Sequence, residues 1–247
     1  MFSIVIPTYK NYPDLLMAVE SCSHPLIKEI IIVDDTPSEE QGEIKLPDSD
    51  AAITIVRNTR NRGVTFSRNR GYFMSSQPYI IFLDSDDTLI KSNLLLAVDY
   101  LEKNNIDCAF FNTCTNGREN STIEHSVEGN WAQLFKMANS GERLLVIRKI
   151  IGKPFIGKLR GHELAGLFFF TLKNNSKLGW SPILLREYNQ SNEFSLSQMR
   201  LSKERSHLIS LGHFKVAKRL FSLCKIKLSS IYFLKACYYA ISSRISR

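Results

Sequence analysis

Asp84-Ser85-Asp86, with Asp87 directly behind it, is the stretch of this sequence best suited to chemistry. Two carboxylates spaced D-x-D can converge on one cation. These follow an apolar run, Tyr79–Leu83 (YIIFL), where carboxylates left alone would be poorly solvated and mutually repulsive. A second acidic pair, Asp34-Asp35, ends another apolar run, Glu29–Asp34 (EIIIVD). Acids placed there suit hydrogen bonding to a base or ribose; with Thr36-Pro37 behind them they also suit a strand cap or turn. Two facing acidic clusters call for positive charge. A divalent metal with a polyphosphate supplies it, because Mg²⁺ and Mn²⁺ are commonly held by one or two carboxylates plus phosphate oxygens.

Arg57, Arg60, Arg62, Arg68 and Arg70 crowd the stretch ahead of the D-x-D segment. Guanidinium forks match phosphates, and Arg68 stands best for that, just before the acidic strand. Gly63 and Gly71 suit a turn and a close helix contact. His162-Glu163 opens an apolar segment. Glu163 is either a general base at the rim of a crevice or an acid favoured at a helix N-terminus. Gly152–Lys158 matches GxxxxGK, but Leu159 stands where a phosphate loop needs Ser or Thr, and Pro154 and Phe155 suit such a loop poorly. The five histidines have no metal-binding spacing.

The elements that must position these residues alternate. Phe2–Pro7, Glu29–Asp34, Ala52–Arg57, Tyr79–Leu83 and Asp107–Asn112 read as buried strands; Tyr12–Cys22, Thr65–Ser76 and Leu94–Lys103 read as helices. That order predicts an α/β fold with a mostly parallel central sheet covered on both faces. Beyond residue 115 the pattern weakens. Trp131–Ala138 and Glu163–Lys173 read as helical, and Leu144–Ile151 as strand or helix. Ligands of open α/β sheets bind outside the C-terminal strand ends. Thr8-Tyr9, Asp34-Asp35 and Asp84–Asp87 follow three such ends, which predicts one carboxylate-lined crevice.

The chain has 247 residues and a net charge of +8, with 44% hydrophobic and 23% charged residues, which excludes disorder and low complexity. The charge is uneven. From Gln198 to Arg247 there are eleven basic residues against one acid, Glu204, a surplus of +10 that leaves residues 1–197 at −2. His207–Leu223 has a basic amphipathic pattern, and Ile226–Ile241 is more apolar and aromatic. The tail is read either as helices packed on the domain or as a contact with an anionic membrane surface. Five cysteines, an odd number without CxxC pairs, point to free thiols and a reducing cytoplasm. The N-terminus reads as a strand rather than a signal peptide, and no apolar run is long enough to span a bilayer. Nucleic-acid binding is disfavoured: no recognised module is present and the crevice is acidic.

Ser3-Ile4-Val5-Ile6-Pro7-Thr8-Tyr9-Lys10, Ile32-Val33-Asp34-Asp35, Ser67-Arg68-Asn69-Arg70-Gly71 and Phe82-Leu83-Asp84-Ser85-Asp86-Asp87, in that order, resemble family 2 glycosyltransferases. These are inverting enzymes of GT-A fold that use nucleotide-sugar donors and a divalent metal. The resemblance covers residues 1 to about 115. It implies a catalytic domain over 1–197, with a nucleotide-sugar half (1–115) and an acceptor half (116–197), followed by a basic helical tail (198–247).

Roles follow from the resemblance residue by residue. Pro7, Thr8, Tyr9 and Asp35, with Asp34 beside them, would line the uracil pocket. Arg68 would lie near the nucleotide, Asp84 and Ser85 on the ribose side, and Asp86 on Mn²⁺ or Mg²⁺. Family members commonly carry an acidic pair before an apolar helix, whose second acid is the catalytic base. His162-Glu163 takes that place, so Glu163 matches the base and His162 departs from the usual acid. Where many members have a later metal-assisting His, Tyr188-Asn189-Gln190-Ser191-Asn192 has none. The implied reaction is sugar transfer to a glycan or lipid-linked acceptor in bacterial surface polysaccharide or lipopolysaccharide synthesis, at the inner face of the cytoplasmic membrane. A catalytically inactive sugar-nucleotide-binding module and a nucleotidyltransferase of related fold are the alternatives.

Overall fold

Ile30–Val33 are closed to solvent on both sides, as a central strand of a parallel sheet must be. They belong to β2 (Ile27–Asp34), which lies between β1 (Phe2–Thr8) and β3 (Ala52–Arg57), all parallel. The computed structural model describes residues 1–120, 123–130, 142–156, 163–189 and 203–245. The remaining strands are β4 (Tyr79–Phe82), β5 (Thr88–Leu89), β6 (Cys108–Thr115), β7 (Arg118–Glu119), β8 (Val127–Gly129), β9 (Arg143–Arg148) and β10 (Leu178–Glu187). The sheet order is β3-β2-β1-β4-β9-β6-β10-β5, with β7 on β6 and β8 on β10.

Six strands of that path run one way. β9 is antiparallel to both β4 and β6, and β5 to β10. The mostly parallel sheet is therefore present, with one reversed strand at its centre. Of Leu144–Ile151, open between strand and helix in the sequence, residues 144–148 belong to this reversed strand. β10 carries Pro182, which cannot donate to a ladder. The register slips between Ser181 and Leu184, so a bulge absorbs the proline inside the strand. Because β9 and β10 lie within the sheet, residues 1–115 and the stretch after them share one structural unit.

The helices are α1 (Tyr12–Ser21), α2 (Val64–Met74), α3 (Leu94–Lys103), α4 (Glu163–Lys173), α5 (Lys203–Ser222) and α6 (Ile226–Ile245). α1 and α3 cover one sheet face through Leu15, Val19, Leu94 and Leu101. α2 and α4 cover the other through Tyr72, Leu167 and Phe170. α2 lies very close to β1: a Cβ on Gly71 would stand 2.3 Å from Val5 Cγ1. α5 and α6 form an antiparallel hairpin, tied by Ser210 Oγ donating to the Ala236 carbonyl and Ser229 Oγ to that of Ala217. The hairpin packs on α4 through Val216, Leu220 and Tyr232 against Ala165 and Phe168. The tail is thus docked on the domain. No described helix is long and apolar enough to cross a membrane. The five cysteines are free thiols. The helix expected at Trp131–Ala138 lies outside the described residues.

Candidate active site

β1, β2 and β4 are parallel neighbours, so their C-terminal ends open on one edge of the sheet. β1 delivers Pro7, Thr8 and Tyr9; β2 delivers Asp34 and Asp35; β4 leads into Asp84–Asp87. Pro7 and Thr8 are buried, and Tyr9 is exposed at the mouth of this edge. Lys10 turns the chain with φ +56°, and its N–H donates to Thr36 Oγ1.

Asp34 and Asp35 are both buried, and Asp34 accepts from the Thr36 N–H, the strand-cap or turn arrangement that the sequence left open beside a role at the base. Asp34 is 0% exposed and accepts from Tyr12 Oη (3.0 Å) and the Thr36 N–H (3.0 Å). Asp35 accepts from the N–H groups of Arg62 (2.8 Å) and Gly63 (2.6 Å) and from Asn58 Nδ2 (2.7 Å). Gly63, at φ +84°, is the turn before α2. The Asp35 carboxylate therefore pins the start of α2, the helix that carries Arg68. Arg57 and Arg70 are also spent on local structure: Arg57 donates to the Gly42 carbonyl, and Arg70 to the Arg57 carbonyl and Asn58 Oδ1.

Arg68 reaches across to the D-x-D segment, where its Nη2 donates to Asp84 Oδ1 at 2.5 Å. Burial works against both charges, but each compensates the other. The guanidiniums of Arg68 and Arg186 outweigh burial and hold the Asp84 carboxyl below its ordinary range. Burial likewise opposes the Arg68 charge, yet Asp84 and then Glu163 raise its pKa. Glu163, half-buried in the first turn of α4, thus acts electrostatically on the guanidinium that holds Asp84.

No motif or spacing in the sequence singles out Arg186. It sits on β10 and is only 5% exposed, with Nη1 3.0 Å from Asp87 Oδ2 and 3.9 Å from Asp84 Oδ2. Glu142 Oε2 lies 3.5 Å from its Nη2. Asp87 is wholly buried and accepts from the Asn189 N–H. Burial first, then the charges of Asp84 and Asp86, push its pKa to about 7 against the pull of Arg186. The available signal was an arginine inside an apolar run, Ile183–Arg186, where a charge must find a partner.

Asn69, next to Arg68, makes a two-way bond with one residue: its Nδ2 donates to the Phe155 carbonyl (2.8 Å) and its Oδ1 accepts from the Phe155 N–H (3.0 Å). The Pro154–Ile156 backbone lies directly on α4 at Gly166, three residues after Glu163. A chain of contacts thus runs from α2 through Phe155 to the helix that bears Glu163.

The acids suit a hard divalent cation. Asp84, Asp86 and Asp87 are neighbours by charge, with Glu163 close to Arg68, and the two guanidiniums leave negative charge over. No cluster of three metal-type side chains exists among the described residues. A divalent ion at this edge would have one or two carboxylates, Asp86 first, and would take its remaining ligands from phosphate oxygens. His162, Lys158, Arg160 and the segment from Gln190 through Ser197 lie outside the described residues.

Comparison with known proteins agrees with this fold. An uncharacterised glycosyltransferase of Haemophilus influenzae is 30% identical over 164 residues, 63% of this chain and 52% of that protein. The poly(ribitol-phosphate) β-N-acetylglucosaminyltransferase TarP of Staphylococcus aureus is 29% identical, covering 63% of this chain and 50% of its own. The chain spans about half the length of these curated relatives. Among solved structures, S. aureus TarS residues 1–349 aligns with a TM-score of 0.64 at 16% identity, over 98% of this chain and 72% of that one. The family model described as glycosyl transferase family 2 matches residues 3–161, from the first buried strand to just short of Glu163, and the chain belongs to that family.

Proposed function

We propose that the protein transfers a sugar from a nucleotide-sugar, a UDP-sugar by preference, to a hydroxyl of a glycan or lipid-linked acceptor, with inversion at the anomeric carbon. One observation carries the reading. Arg68 donates to the Asp84 carboxylate, and the charge of Glu163 reaches the same guanidinium, which supports a candidate base near the acidic edge. UDP as the nucleotide is supported by solved TarS complexes with UDP and UDP-GlcNAc, of the same fold. A lipid-linked acceptor is supported by an Escherichia coli relative, 28% identical over 114 residues and 45% of each chain. Its name describes glucosyl transfer from UDP-Glc to GlcNAc-diphosphoundecaprenol. Bacterial surface polysaccharide synthesis is the matching setting.

In this mechanism Glu163 takes the proton of the acceptor hydroxyl as that oxygen attacks the anomeric carbon on the face opposite the leaving diphosphate. Asp86, with Asp84, would hold Mn²⁺ or Mg²⁺, which when bound stabilises negative charge on the leaving diphosphate. Arg68 orients Asp84, and Asp87 and Arg186 fix the floor beneath it. Pro7, Thr8 and Tyr9, backed by Asp34 and Asp35, form the wall for the base, and Ser85 lies beside the ribose. The surplus positive charge of the tail supports a position at the inner face of the cytoplasmic membrane, where a lipid-linked acceptor would be presented.

A UDP-sugar panel with Mn²⁺, scored for transfer and hydrolysis, tests the reading. Release of UDP from at least one donor, lost in chelator and in Asp86→Ala, is the expected result. UDP-sugar binding without turnover on any acceptor class would favour the inactive module, and activity retained in chelator would refute the metal.

A further inference from the structure

The α5–α6 hairpin has two faces. Its inner face, with Val216, Leu220 and Tyr232, is buried on α4. Its outer face is apolar but exposed. On α5, Leu211, Phe214, Lys218 and Phe221 recur at steps of three and four residues, forming one stripe. On α6, Lys227, Ile231, Leu234, Tyr238 and Ile241 form another, with Leu234 68% and Tyr238 67% exposed. The rings of Phe214 and Phe233 meet at 6.4 Å between centroids and join the two stripes. Between Ser206 and Arg244 there are seven Lys or Arg residues and no acid, and all seven are exposed.

We infer that this outer face is a docking surface for an anionic lipid bilayer, the hairpin lying flat with its stripes among the headgroups. The inference deepens the membrane placement proposed above and rests on it. The charge selects the partner. A second copy of this chain docked by the same face would set positive charge against positive charge, whereas anionic headgroups neutralise the basic residues while the apolar stripes enter the layer beneath them. Nucleic acid would match the charge but leave the aliphatic residues Ile231, Leu234 and Ile241 without a role. Because the inner face holds α4, docking also fixes the helix of Glu163 relative to the surface that presents a lipid-linked acceptor.

The test is sedimentation of the full chain with phosphatidylcholine vesicles, with and without phosphatidylglycerol, at low and high salt and without substrates. The mixed vesicles should bind the protein and pure phosphatidylcholine should not. Lys218→Gln/Arg219→Gln/Lys227→Gln should weaken partition about a hundredfold, roughly fivefold per basic residue. Phe221→Ser/Leu234→Ser/Tyr238→Ser should abolish the binding that survives high salt. All six side chains are exposed, so an unchanged urea midpoint serves as the folding control. Wild-type binding that ignores lipid charge, no binding at all, or a self-association lost in the serine variant would overturn the inference. So would RNA binding lost in the charge variant but kept in the serine variant. Donor turnover is read separately: intact turnover without vesicle binding overturns this surface alone, and vesicle binding without turnover overturns the catalytic reading alone.

Discussion

Gly166→Ala would act on the contact that sets where Glu163 stands. A Cβ at this position would be 2.7 Å from Phe155 Cα, 2.7 Å from the Pro154 carbonyl oxygen and 2.8 Å from the Ile156 nitrogen. These are backbone atoms, and Asn69 holds Phe155 by two hydrogen bonds, so the segment cannot swing aside as a flexible side chain would. To recover ordinary contact, near 3.4 Å, α4 must withdraw by about 0.7 Å. Overpacking of this kind costs about 1–3 kcal/mol. Glu163 lies less than one turn away on the same helix and moves with it. Since a misplacement near 1 Å can cost about a hundredfold in rate, transfer should fall about 10- to 100-fold. The wall made by β1, β2 and β4 is untouched, so UDP affinity should stay within about twofold, given that the mutated helix makes none of that wall. Urea unfolding, single-turnover transfer and calorimetric UDP titration read the three quantities. An unchanged midpoint with unchanged transfer would refute the close contact. Equal loss of UDP binding and transfer would refute the claim that the helix positions the base.

Other perturbations probe other parts. Arg186→Met leaves Asp87 buried without its cation; with its pKa already about 7 the carboxyl then takes up a proton, so stability in urea should fall by about 1–3 kcal/mol, with Asp87→Leu in the same chain restoring most of it. Failure of that rescue would show that Arg186 acts elsewhere. Burial first, then Lys235, lowers the His213 pKa to about 4 inside the hairpin, below the unfolded value near 6.5. The hairpin should therefore keep this stability above pH 6.5 and lose about 2 kcal/mol by pH 5, as the unfolded chain takes up the proton first. His213→Phe should flatten that pH dependence between pH 7 and 5 in urea titrations; an unaltered slope would locate the acid sensitivity elsewhere.

The strands that carry the site were legible because each is a run of β-branched or aromatic residues, buried on both faces and stopped by a polar pair. α2 and α4 were legible from periodicity, and Gly71 from its place against β1. β10 was hidden by Pro182, which reads against a strand until a bulge gives it a place. With β10 hidden, Arg186 had no element to bring it to Asp87, 99 residues away in the chain. The turn of Asp34 on Thr36 was open in the sequence, but the other donors to this pair, Tyr12 and the 62–63 backbone, belong to other elements and had no sequence signal. The tail's charge was plain in the sequence. Its split into a face on α4 and a face toward solvent required the packing.

The central claim is that Glu163 deprotonates the acceptor at a site whose donor half is built by Arg68, Asp84 and Asp86. Single-turnover transfer by Glu163→Gln, alongside UDP-sugar titration, tests it most directly. Donor affinity should stay within about twofold of wild type while transfer falls by about 10²–10⁴, the usual contribution of a general base. Transfer at the wild-type rate in Glu163→Gln would contradict it.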